Sequence, residues 1–110
     1  MISSEFIKEQ NREITGHGDI ISSHLIESTL SSYYYYDTIE LQISSVYRGL
    51  VKNHGFRDGN KRTACIVLFT LCEECGVDII INDDKLEDLV VKVATSNMSV
   101  EDISKMLFGG

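Results

Sequence analysis

The chain has 110 residues, 17 of them acidic and 10 basic, for a formal charge of -7. That length supports one modest core, here expected as a single domain over residues 1–110, and excludes two. The acidic balance argues against nucleic acid as a direct partner, because a phosphate backbone would be repelled.

The opening MISSEFIKEQNREI carries charges every few residues and no apolar stretch, so it does not read as a secretory signal. No apolar run approaches the length that spans a bilayer, and a cytoplasmic setting is expected. Residues 5–14 predict a short amphipathic helix after Ser3 and Ser4, both good caps. Thr15 to Asp19, with Gly16 and Gly18, reads as a loop. From Ile20 to about Leu30, the apolar set Ile21, Leu25, Ile26 and Leu30 has helical spacing.

SSYYYY, residues 31–36, interrupts that pattern. Four aromatic, strand-favouring residues in a row cannot share one face. An exposed short hairpin or loop is expected, with two or more rings covering the core as the competing reading. Asp37-Thr38-Ile39-Glu40 has a capping form. Ile39, Ile43, Val46, Tyr47 and Leu50 then predict a helix from 38 to about 53. Extending that register by four places His54 at the inner face of the helix end.

After a polar stretch, TACIVLFTLCEEC is apolar on nearly every side and stops at Gly76, which predicts a helix in the middle of a bundle. Val77 to Ile81 reads as a short, extended segment. Asp83 or Asp84 starts a helix carrying Leu86, Leu89, Val90 and Val93, and Ser99 caps a last one with Ile103, Met106 and Leu107. The fold class expected is mainly α, a helical bundle with one hairpin insertion. Cys72 and Cys75 form a C-x-x-C, but zinc needs about two more ligands, and buried, reduced packing thiols are the plainer reading for all three cysteines.

The polar stretch NHGFRDGNKRTA, residues 53–64, holds the chemistry. It joins two helices, the second beginning near Asn60, where free backbone N–H groups and a partial positive charge suit a phosphate. Gly59 leaves room for an anion to approach the backbone. Lys61 and Arg62 add full charge at the end of a helix that disfavours cations, a cost that a bound anion offsets. Asp58 is a hard oxygen ligand for magnesium, which binds through one or two carboxylates together with substrate phosphates. His54 is the side chain suited to take a proton from a hydroxyl. Phe56 pins the loop to the core. This set describes phosphoryl or nucleotidyl transfer. A P-loop is a poor match, since G-x-x-x-G-N-K-R-T lacks the adjacent Gly-Lys-Thr and follows a helix; a solvated turn without chemistry is the bland alternative.

HGFRDGNKR resembles the signature H-x-F-x-[DE]-[AG]-N-[GK]-R of the Fic/Doc superfamily, with Gly55 where proline is frequent. Leu25 to Leu30, LIESTL, is similar to the "LLESAL" element of death-on-curing (Doc) toxins, and the likeness extends through Ser104. In Fic adenylyltransferases the motif reads G-N-G-R-x-x-R; this chain has Lys61 for the second glycine and Cys65 for the last arginine. Doc-type toxins carry that lysine, and the resemblance implies an inverted ATP whose γ-phosphate faces the base. It further implies His54 as base toward a target Ser or Thr, with Lys61 assisting. Asp58 would hold Mg²⁺, and Gly59, Asn60, Lys61 and Arg62 would bind the nucleotide. Tyr33, Tyr34, Tyr35 and Tyr36 would form a flap that holds the target by strand-like pairing.

Ser23-x-x-x-Glu27 approaches the autoinhibitory pattern of many Fic enzymes. Ser28 then departs from it and Cys65 supplies no arginine, so Glu27 reads as structural. The implied partners are a protein target, elongation factor Tu by resemblance, and a separate antitoxin whose carboxy-terminal segment folds onto the toxin. Protein AMPylation, and a binding or regulatory module with little catalysis, are the alternatives.

Overall fold

The computed structural model describes residues 2–110. Six α-helices follow one another: α1 (Ser4–Thr15), α2 (Ser23–Ser32), α3 (Ile39–Lys52), α4 (Asn60–Cys75), α5 (Asp83–Thr95) and α6 (Val100–Phe108). Among the described residues there is no strand, only one isolated antiparallel bridge between Ile20 and Phe56. The mainly α expectation holds.

Five helices start on a side chain that accepts a hydrogen bond from the first turn. The caps are Ser3 for α1, Ser22 for α2, Thr38 for α3, Asn82 for α5 and Ser99 for α6. The cap of α3 is therefore Thr38 rather than Asp37. The second helix starts at Ser23, not Ile20, because the Ser22 hydroxyl takes the Leu25 amide. Ile21 thus lies outside the helical face and is exposed.

No hairpin forms at SSYYYY. The Ser31 and Ser32 hydroxyls donate back to the Glu27 and Thr29 carbonyls, so helical backbone persists to Ser32 and tightens into a 3₁₀ turn at Tyr33–Tyr35. A period of three puts Tyr33 and Tyr36 on one side. Those two are half-buried, while Tyr34 and Tyr35 are exposed.

The central helix is α3, not α4: it packs against α2, α4, α5 and α6. Ile43, Val46, Tyr47, Leu50 and Val51 of α3 are buried with Val67, Leu68 and Leu71 of α4 and Ile103 and Leu107 of α6. The remaining apolar stripe of α4, Cys65, Ile66 and Phe69, faces an open groove against Leu86 and Val90 of α5, which leaves Phe69 48% exposed. Residues 77–81 are irregular, tied to α6 by Ile80 N–H donating to the Leu107 carbonyl at 2.8 Å. Among the described residues no helix is long and apolar enough to cross a membrane.

Candidate active site

The loop between α3 and α4 is fixed residue by residue. Asn53 caps α3, and its amide donates to the Thr29 hydroxyl of α2 at 2.8 Å. His54 follows with φ 49°, in the left-handed region that histidine tolerates better than most side chains. The helix has ended two residues earlier, so the register of α3 no longer applies. His54 points outward and is exposed, where sequence spacing had placed it on the inner face.

Gly55 is buried, and its carbonyl accepts from the amides of Ile21 and Ser22 at 2.8 and 3.1 Å. A Cβ there would lie 2.7 Å from Ile26 Cγ1. Glycine at this position lets the loop sit directly on α2. Phe56 is 1% exposed and pairs with Ile20, and Arg57 N–H donates to the Asp19 carbonyl at 3.0 Å. Residues 19–22 thus zip onto residues 55–57. Asn60 closes the loop from inside, its Oδ1 accepting from Phe56 N at 3.1 Å and its Nδ2 donating to Phe56 O at 2.8 Å. Both ends of that side chain are thus engaged by the Phe56 backbone.

α4 differs from every other helix at its start. Gly59 stands at the cap position with φ 73°, and no side chain accepts from the first turn. Free N–H groups there open onto a depression of about 390 Å³ lined by His54, Arg57, Asp58, Gly59, Asn60, Lys61 and Arg62. The loop therefore brings all the motif residues but Gly55 and Phe56, both buried, to one surface. Lys61 and Arg62 are exposed, and among the described residues neither has a carboxylate within 4.0 Å. Two cations at a helix N-terminus are each unfavourable by about 0.3–1 kcal/mol, and among the described residues no ion pair offsets them.

The Asp58 side chain is 63% exposed, with Oδ2 3.8 Å from His17 Nε2. Among the described residues no group of three His, Cys, Asp or Glu is placed to cage a metal ion. One accessible carboxylate beside free helix N–H groups is a donor set of the kind that magnesium takes when other oxygens complete its shell. His17 and Asp19 also reach this rim. His17 Nδ1 lies 3.6 Å from Asp19 Oδ2, and Arg57 Nη1 lies 4.0 Å from the same oxygen. The sequence reading had both only as loop residues; their one signal was the paired glycines around them.

The tyrosines lie elsewhere. Tyr33 Oη is 4.0 Å from Cys75 Sγ, at the far end of α4 from the cradle. A helix of that length separates them by roughly 20 Å. Tyr33–Tyr34 and Tyr35–Tyr36 each make an edge-to-face ring pair. Glu27 is exposed, and its carboxylate has no hydrogen-bond or ion-pair partner among the described residues, so it braces nothing. Burial raises the thiol pKa of Cys65 and pushes that of Cys72 up to about 11, with Cys75 and Asp78 adding to the latter. These are protonated packing groups at neutral pH.

A model of the Fic/DOC family matches residues 3–72, from the start of α1 into the last turn of α4. The chain belongs to the Fic/DOC family. The matched region contains the whole loop and the helices that hold it. Toxin Doc of Mycolicibacterium smegmatis (strain ATCC 700084 / mc(2)155) is 34% identical to it over 68 residues, 60% of this chain and 52% of that protein. The chain spans about half the length of that curated relative.

Proposed function

We propose that this Fic/DOC protein is a Doc-type toxin that transfers the γ-phosphate of ATP to a serine or threonine hydroxyl of a protein target. The observation that carries the reading is the uncapped start of α4, with Lys61 in its first turn and the exposed His54 across the same depression. Likeness to a protein named Toxin Doc supports the toxin class.

In this reading the N–H groups after Gly59, together with Lys61 and Arg62, hold the terminal phosphates. His54 takes the proton of the acceptor hydroxyl as its oxygen bonds to the γ-phosphorus. The bond from that phosphorus to the β–γ bridging oxygen breaks, and ADP leaves with the electron pair. Magnesium, held through Asp58 and the phosphates, would neutralise charge that builds up on the transferred group. Lys61 adds a fixed positive charge at the oxygens of that group. It also fills the space that a second glycine would leave for terminal phosphates, which favours γ-transfer over AMP transfer.

The proposed acceptor is elongation factor Tu, with translation arrest as the outcome and a separate antitoxin as the silencing partner. The test is incubation of the protein and purified elongation factor Tu, or a lysate, with Mg·ATP labelled at the α or the γ phosphate. Label from γ alone is expected. Label from α would replace the kinase by an adenylyltransferase, and no label in any acceptor would leave a binding module.

A further inference from the structure

The cradle is aimed from below by a residue outside the motif. Asn11, in the third turn of α1, is fully buried. Its Nδ2 donates both hydrogens, to the Asp58 carbonyl at 2.7 Å and to the Thr63 hydroxyl at 3.2 Å. These acceptors flank Gly59, and Thr63 N–H in turn donates to the Gly59 carbonyl at 2.9 Å. α1 presses so closely here that a Cβ on Gly59 would lie 2.8 Å from Thr15 Cγ2 and 3.2 Å from Asn11 Nδ2.

We propose that Asn11 is a positioning residue for the anion site, fixing the Asp58–Gly59 peptide so that its N–H faces the ligand. The reason is covalent. A trans peptide is planar, with its C=O and N–H pointing in opposite directions. When Asn11 holds the Asp58 carbonyl down toward α1, the Gly59 N–H is turned away from α1, toward the depression. Rotation of this peptide would bury the N–H and present a carbonyl oxygen to a phosphate.

The other end of the side chain supports the same conclusion. Asn11 Oδ1 is buried with no hydrogen-bond partner among the described residues. An orphaned buried acceptor is destabilising, and a leucine of similar volume would avoid it. Packing alone therefore does not explain an amide here; its two donations do.

This inference rests on the phosphate-cradle reading, and the experiment separates the two. Inorganic tripolyphosphate is titrated into ¹⁵N-labelled protein while the amides of Gly59 to Arg62 are followed. In the wild type the Gly59 amide should shift downfield, with the Asn11 side-chain NH₂ resonances moving at the same midpoint. Asn11→Leu should bind about tenfold more weakly, the loss expected for one misdirected charge-assisted hydrogen bond, and should lose the Gly59 shift. Thr63→Val, which leaves the Asp58 contact intact, should keep both affinity and shift.

No perturbation of residues 59–62 in the wild type sinks the cradle itself. A normal wild-type titration with an unchanged Gly59 shift and affinity in Asn11→Leu overturns the role of Asn11. If Asn11→Leu does not fold, the wild-type Asn11 NH₂ resonances decide: coupled movement upholds the proposal, and static resonances beside a shifting Gly59 overturn it.

Discussion

Replacing Gly59 by alanine adds two costs that a second glycine lets one measure apart. Gly59 and Gly76 stand at opposite ends of α4 with nearly equal backbone angles, φ 73° and 69°. An alanine at either position pays the left-handed penalty of about 1–2 kcal/mol, partly offset by a similar unfolded-state gain at both. Only Gly59 has a neighbour: its Cβ would lie 2.8 Å from Thr15 Cγ2, whereas nothing lies within 4 Å at Gly76. Carbon contacts normally settle at about 3.5–4.0 Å, so α1 must retreat by roughly 1 Å, a displacement in the range that costs about 1–3 kcal/mol. Gly59→Ala should therefore destabilise by about 2–4 kcal/mol and Gly76→Ala by about 1 kcal/mol, which at this size lowers Tm by roughly 10 °C or more against about 5 °C. Urea melts and calorimetry of both variants test this. Thr15→Ser removes Cγ2 while keeping the hydroxyl that donates to the Asn11 carbonyl at 2.9 Å. In the Gly59→Ala background it should recover most of the extra loss. Equal costs at the two glycines, or no recovery, would refute the claim that α1 clamps the start of α4.

Three further outcomes are expected. His54→Gly should abolish transfer yet leave stability unchanged or raised by about 1 kcal/mol, since it relieves a left-handed non-glycine residue at an exposed position; a lower denaturation midpoint would contradict the backbone reading, and surviving transfer the assignment of the base. Raised thiol pKa values mean that the folded chain holds these protons more tightly than the unfolded one, so stability should be level below about pH 8.5 and fall as pH rises toward 11. Denaturant melts between pH 7 and 10.5 check the sign, and Cys72→Ala should flatten the decline. The Tyr47 hydroxyl is buried with no partner among the described residues, so Tyr47→Phe should stabilise by about 1 kcal/mol, and a clear loss in a thermal melt would show that the hydroxyl is satisfied.

What sequence conveys about this molecule follows the range of each interaction. Helix caps and apolar spacing act within one turn, so six helices could be read from the chain, and the motif residues lie within nine positions of one another. Errors arose where long-range packing decided. The all-round apolar α4 reads as central, yet α3 occupies the centre, because a groove toward α5 leaves one stripe of α4 open. The four tyrosines follow strand propensity on paper, but serine hydroxyls bonded back into α2 carry helical backbone up to them.

Asn11 marks the limit most clearly. Nothing about an asparagine in an amphipathic helix announces a function, since the two groups that it grips lie 47 and 52 positions away. The same distance explains why the motif needs support at all. A loop that leaves its helix start uncapped has given up the local hydrogen bond that fixes the other helix starts among the described residues. The orientation of its peptides must then be set from elsewhere in the fold, and α1 is the element packed beneath it.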